Sequence, residues 1–166
     1  NDKILFDIPK KVRNRCYLIM FRVASTSRTL QIDPGTINRT PLLITFSFDE
    51  NKVYIHFPHL DYVCKESSEM YEAYKRHSNP PIWKAFKIEV MSKDSSNCVI
   101  DATPLFLSSI AEFSPFPDLP AEVRMIVPFV GSFQSDHSKI EEFRAFEDNI
   151  IVKSIMTYTT DKEGPL

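Results

Sequence analysis

The sequence predicts an α+β fold, mainly antiparallel β-sheet with two or three short helices, in a single domain over residues 1–166. Three observations predict it. Two apolar stretches are each folded around a polar four-residue turn, the pattern of a hairpin. Thirteen Phe and six Tyr favour strands and a thick aromatic core over a helical bundle. Helix-start signals are few, and the segments that follow them are short. A chain of 166 residues buries roughly 70% of the surface its unfolded form exposes, enough for one core.

The elements follow in order. Residues 3–8 read as a first strand, stopped by Pro9. Residues 16–24 form a nearly continuous apolar run, which suits a strand buried on both faces. Residues 42–48 and 53–57 flank Asp49-Glu50-Asn51-Lys52, the clearest hairpin in the chain. Alternation puts Leu42, Ile44, Phe46 and Phe48 on one face, with Val53, Ile55 and Phe57 on the matching face of the partner. In residues 67–77, Met70, Ala73, Tyr74 and His77 recur at helical spacing, and Glu72 can pair with Arg76. Asn79-Pro80-Pro81 ends that segment. Residues 85–91 and 98–100 flank Asp94-Ser95-Ser96-Asn97, a second hairpin. Thr103 before Pro104 predicts a capped helix to about residue 109. Pro115, Pro117 and Pro120 mark a rigid surface crossing. Ser138-Lys139-Ile140-Glu141 has the spacing of a capping box, so a helix is expected to about Phe146 with Ile140 and Phe143 inward. Residues 149–160 read as a long final strand.

Composition narrows function by exclusion. Net charge is −2, and the single basic cluster (Lys10, Lys11, Arg13, Arg15) lacks interleaved aromatics, so the chain does not read as a nucleic-acid partner. No apolar stretch approaches the roughly 20 residues needed to span a bilayer. No signal-peptide pattern is read at the start, a feature that a trimmed chain would share. Cys16, Cys64 and Cys98 are widely spaced, form no Cys-x-x-Cys pair, and read as small buried hydrophobes.

A search for chemistry finds no complete apparatus. A zincin helix needs His-Glu-x-x-His, and no His-Glu dipeptide occurs among His56, His59, His77 and His137. His56 and His59 point to opposite faces of a strand interrupted by Pro58, so no metal site is expected. His56 is expected on the polar sheet face, hydrogen-bonded near Thr45 or Ser47. Gly131-Ser132 lacks the second glycine of a nucleophile elbow. Three glycines in all cannot build a phosphate-cradling loop. No catalytic or cofactor-binding residue is assigned, and the fragment reads as a non-enzyme. Trp83, beside Pro80-Pro81, and Tyr71 and Tyr74 are the candidate ligand or interface residues, set against Trp83 as a core plug. Asn38-Arg39-Thr40 is an acceptor sequon of little weight.

Four stretches, in this order, carry a resemblance. They are Phe6-Asp7-Ile8-Pro9 with the run from Leu18 to Ser27, Met70-Tyr71 through Pro81-Ile82-Trp83-Lys84-Ala85-Phe86, Val99-Ile100-Asp101-Ala102-Thr103-Pro104-Leu105-Phe106, and the run from Ser138 to Asn149. Together they resemble a domain of unknown function that precedes the catalytic domain of exported bacterial zincin-like metallopeptidases. The chain departs from that pattern at His137, at Glu147, and across residues 28–36, where a glycine-rich stretch is expected. The resemblance implies a peptidase helix, with its zinc, in a downstream domain of the same protein, which would be this domain's partner. It also implies export, to the periplasm or cell surface.

Within this reading the matched motifs are architectural: Thr103 and Ser138 cap helices, Phe143 and Phe146 anchor the second, and Asn149 turns left-handed. Three functions compete. The first is an accessory domain that packs on the catalytic domain, which predicts an exposed apolar patch. The second is an independent peptide- or glycan-binding module. The third is an inhibitory pro-segment, in which Arg15-Cys16 resembles a cysteine switch onto the catalytic zinc.

Overall fold

The structure, a computed structural model, describes residues 3–13, 15–27, 33–35, 37, 40–60, 64–65, 67–114 and 130–160. The crossing read at Pro115, Pro117 and Pro120 lies outside these residues, as do Asn38 and Arg39 of the sequon and most of the 28–36 departure. Two compact units are present. One comprises residues 5–20 and 41–101, the other residues 1–4, 21–40 and 102–166.

The first unit is an antiparallel sheet built from β1 (Leu5–Pro9), β2 (Tyr17–Ile19), β3 (Leu42–Phe48), β4 (Lys52–His56), β5 (Ile82–Met91) and β6 (Asn97–Asp101). Their order across the sheet is β1-β6-β5-β4-β3-β2. The sheet curls into a half-barrel, the outcome of strand twist accumulating over six members. The β3–β4 hairpin follows its sequence pattern: Phe46 faces Ile55 and Phe48 faces Val53. Phe86 of β5 continues the apolar row beside Val53. Ile44, Val53, Ile55 and Phe86 form its buried centre, joined by Ile8, Cys98 and Ile100 towards the β1 side.

Both hairpin turns are held by an aspartate. Asp49 accepts hydrogen bonds from the amides of Asn51 (2.8 Å) and Lys52 (2.6 Å) and from the Tyr54 hydroxyl (2.7 Å). Asp94 accepts from the Ser92 hydroxyl (2.7 Å), the Ser96 amide (3.1 Å) and the Ser96 hydroxyl (2.8 Å). Ser95 takes the left-handed conformation (φ 56°) that this turn requires. The short carboxylate competes with the ladder for nearby amides, so it ends strands rather than continuing them.

A seven-residue helix, α1 (Tyr71–His77), belongs to this unit. Glu72 meets Lys75 one turn on (3.4 Å), not Arg76. The expected strand at 16–24 contracts to β2, and Leu18 is 60% exposed rather than buried on both faces. The reason is position: β2 is an edge strand and pairs only with β3.

The second unit contains α2 (Thr103–Phe106), β7 (Val130–Phe133), β8 (Lys139–Ala145), β9 (Ile150–Ile155) and β10 (Tyr158–Thr160). Thr103 does not cap α2; Ala102 occupies that position without a side-chain cap. The Thr103 hydroxyl instead accepts from the Ile4 amide (2.9 Å), and the Ala102 amide donates to the Ile4 carbonyl (2.9 Å). Ile4, Val23, Ala102, Leu105 and Ile110 are buried here, and Phe21 stacks on Phe113 at 6.1 Å. Gly35 (φ 90°) donates to the Val23 carbonyl at 2.7 Å, a conformation that only glycine adopts freely.

The helix expected at 138–146 is a strand. β8 pairs antiparallel with β9, and β7 pairs with β10, so residues 130–160 form a jointed two-stranded ribbon. The Ser138 hydroxyl is at the joint. It donates to the Gln134 carbonyl (2.7 Å) and accepts from the Thr157 amide (2.9 Å). Thr157 also donates its hydroxyl proton to the His137 carbonyl (2.7 Å). These bonds divert the chain at 156–157, which is why the single expected strand over 149–160 splits into β9 and β10. Asn149 is not left-handed, since Ser95 is the one non-glycine residue of positive φ among those described. Its carbonyl accepts from the Phe146 amide (2.8 Å), closing the two-residue turn at Glu147-Asp148. Gly131 sits against Thr159, where a Cβ would meet the threonine hydroxyl and carbonyl.

Candidate docking surface

The first unit carries the candidate aromatic residues. Tyr71 and Tyr74, one turn apart on α1, stack at 6.4 Å, and Lys75 Nζ lies 5.4 Å from the centre of the Tyr71 ring. Trp83 packs on Phe57 at 5.3 Å, with Lys84 Nζ 5.6 Å from its ring centre. All three candidates are half-buried. The structure therefore brings Tyr71 and Tyr74 together and gives Trp83 a different ring partner, in a register shift where β4 meets β5.

The polar face of the same sheet holds a nucleophile beside an imidazole. Ser47 and His56 lie on neighbouring strands, and Ser47 Oγ is 2.7 Å from His56 Nε2. His56 Nδ1 is 3.1 Å from the Pro80 carbonyl. A carbonyl only accepts, so the proton sits on Nδ1 and Ser47 donates to Nε2. His56 thus occupies the hydrogen-bonded place expected of it near Thr45 and Ser47. The same bond polarises the hydroxyl in the sense that nucleophile–base pairs use. Acyl transfer further requires donors aimed at the developing oxyanion. What the geometry provides on its own is a cross-strand tie from β3 through β4 to the segment before β5.

Among the described residues, no group of three or more His, Cys, Asp or Glu side chains could hold a metal ion. A shallow depression of about 400 Å³ is lined by Lys10, Arg13, Phe48, Asp49, Glu50 and Met91. Its groups are committed locally: Arg13 donates to the Phe48 carbonyl (3.1 Å) with its guanidinium 5.8 Å from the Phe48 ring centre, and Asp49 is taken by its turn. Of the three thiols expected to be buried, Cys16 departs from that reading. Cys98 is buried and Cys64 half-buried, while Cys16 is exposed because β2 begins after it. Burial pushes the Cys98 thiol up from its ordinary value.

An apolar face is left exposed in the second unit, on the β8–β9 arm of the ribbon. Phe143 faces Val152 and Ala145 faces Ile150, so these four side chains share one face. Phe143 is 46% exposed, Ile150 50%, and Phe146 at the tip 53%. The other face carries Glu142, Arg144 and Lys153 with Ile151. Glu142 pairs with Arg144 along the strand. Glu141, the extra residue at a bulge in β8, meets Lys153 at 2.7 Å. That hydrogen bond and charge lower the Glu141 carboxyl and raise the Lys153 amine from their ordinary values. Within its own unit, no other described element packs extensively on the arm.

Sequence reasoning placed Phe143 and Phe146 inside as helix anchors, so this surface was missed. The available signal was the β-branched run Ile150-Ile151-Val152, which has a strand's character and needs a partner of matching period. A family profile described as a domain of unknown function (DUF5117) matches residues 36–165. Comparison with curated proteins and with solved structures gave no match.

Proposed function

The chain belongs to the DUF5117 family of domains of unknown function, and from that premise we propose that it is a non-catalytic accessory domain that docks on a catalytic domain of the same protein. The observation that carries this is the apolar face Phe143, Ala145, Ile150 and Val152, ordered in a β-ribbon yet open to solvent. A two-stranded ribbon is marginal alone and gains stability when its face is covered. Exposed, contiguous apolar surface of this kind is what docking sites use. The resemblance read in the sequence names the partner as a downstream zinc metallopeptidase domain of an exported protein, and zinc would belong to that domain alone.

The test uses the protein with its downstream domain. Continuation of the gene is expected to encode His-Glu-x-x-His; a continuation without it removes the peptidase as partner. Phe143→Ser with Ile150→Ser is expected to reduce peptidase activity at least tenfold while the far-UV spectrum of the domain holds. Activity equal to the parent protein rejects docking through this face. The non-catalytic part is tested at Ser47, a nucleophile seated on an imidazole. A fluorophosphonate probe is expected to leave it unlabelled, and labelling that Ser47→Ala abolishes would make the domain a hydrolase.

A second reading is favoured by one observation, the exposure of Cys16 beside Arg15. An accessible thiol could reach a catalytic zinc, as an inhibitory pro-segment requires. Deleting residues 1–166 separates the two: support predicts lost peptidase activity, and inhibition predicts a gain that Cys16→Ser reproduces.

A further inference from the structure

We infer that this chain self-associates through the outer edge of β8, two copies pairing antiparallel about a twofold axis at Phe143 so that two ribbons become one four-stranded sheet. The inference rests on the edge of the arm and leaves the apolar face free for the docking proposed above.

Three observations lead to it. The first is an open edge. β8 and β9 form a sheet of two strands, and among the described residues β8 has no partner on its outer side. The second is the direction of the backbone groups. The Phe146 amide donates to the Asn149 carbonyl (2.8 Å), so Phe146 turns its amide towards the β9 side and marks a bonded position of the ladder. Antiparallel pairs alternate between bonded and non-bonded, so Arg144 with Ile151 is bonded, while Ala145 with Ile150 and Phe143 with Val152 are not. The amides and carbonyls of Phe143 and Ala145 therefore point away from β9, towards the open edge. A strand laid there finds its donors and acceptors at these odd-numbered positions.

The third observation is charge complementarity of β8 with itself. Edge strands are commonly protected by charges and bulges, and β8 has both. Here the signs are arranged so that protection fails against one partner, an identical strand in one register. With Phe143 opposite Phe143 of the second copy, Glu142 falls opposite Arg144, both within β8. Glu142 and Arg144 already pair along their own strand, so two copies set four alternating charges on one face. This register also makes the Phe143 pair a bonded one, as the outward direction of its backbone groups demands. Moving the axis to Arg144 would place like charges opposite each other, so Phe143 is the favoured centre. Such an interface is isologous and closes as a dimer rather than extending.

Sedimentation velocity on the full 166-residue chain tests this. A particle of twice the 19.2 kDa chain mass is expected to grow with concentration, reaching a clear fraction by roughly 100 μM, as a modest edge contact allows. Glu142→Arg sets Arg against Arg and is expected to give monomer, and Glu142→Arg with Arg144→Glu restores opposite signs and is expected to recover the dimer. Ala145→Pro removes an amide that points outward and takes no part in the β8–β9 ladder, so it is expected to abolish the dimer with the far-UV spectrum kept. This variant carries the test if Glu142→Arg fails to fold. A monomeric parent overturns the inference, as does a dimer that survives Ala145→Pro. A double charge swap that stays monomeric while folded overturns the register.

Discussion

Single polar side chains decide where this backbone bends. The Ser138 hydroxyl serves one donor and one acceptor at the ribbon joint, and both are backbone groups of other segments. Replacing it by Ala leaves the Thr157 amide to find water, while the Gln134 carbonyl keeps the His137 amide (3.2 Å). Ser138→Ala is expected to cost about 1–2 kcal/mol, measured by urea denaturation. Asp94 makes a different kind of statement. Hydrogen bonds from the Ser92 hydroxyl, then from the Ser96 amide and hydroxyl, hold its carboxyl at about 2, below its ordinary 3.8. A carboxylate with a depressed folded pKa adds stability above the unfolded value and loses it as pH falls through the folded one. Asp94→Asn is therefore expected to lower the urea midpoint at about pH 6 and to lower it much less near pH 2, where the carboxyl is already partly protonated. An equal loss at both values would show that the carboxylate's charge plays no part. The residue is exposed, so the effect is modest.

The place of a strand in its sheet sets what its side chains contribute. β4 has neighbours on both sides, and Ile55 is 2% exposed. β2 closes one edge, with Leu18 at 60%. The same truncation should then differ sharply between them. Ile55→Ala is expected to cost about 2–5 kcal/mol through lost burial and a residual cavity, and Leu18→Ala to stay within about 0.5 kcal/mol. Thermal melts of the two variants check this, and similar losses would refute the assigned sheet order. At this scale the two central hairpins were legible. Each has its alternation and its turn aspartate close together in the chain, so local chemistry fixes the register. Residues 138–146 were misread for the opposite reason. Ser138 and Glu141 have capping-box spacing, and Ile140 with Phe143 has a helix's period. The β-branched residues 150–155 supply a strand partner across a two-residue turn, and pairing with them outweighs the helical signal.

At the scale of the molecule, the chain passes between its two units four times. Neither unit is a continuous piece of sequence. The unit that holds α2 draws Ile4, Phe21 and Val23 from the N-terminal part, where Phe21 stacks on Phe113 and Ile4 donates to Thr103. A fragment of residues 102–166 lacks those partners and is expected to be largely unfolded, with narrow amide dispersion by NMR. A well-dispersed spectrum would show that the C-terminal part is self-sufficient. The same interleaving makes simple truncation a poor tool here, and substitutions at Phe143, Ile150 or Ala145 the better one.

The sequence by itself determined the class of fold, the two central hairpins with the inward face of the first, and the place of His56 on the polar sheet face near Thr45 or Ser47. In each case the partners lie close along the chain or follow a period of two, and short-range chemistry suffices. Tertiary structure alone decided that Ser138 joins a ribbon instead of capping a helix, that Thr103 receives the Ile4 amide, and that Phe143 and Ile150 face solvent. Those outcomes depend on groups up to 99 positions apart. An ambiguous local signal cannot weigh such partners before the chain has brought them together.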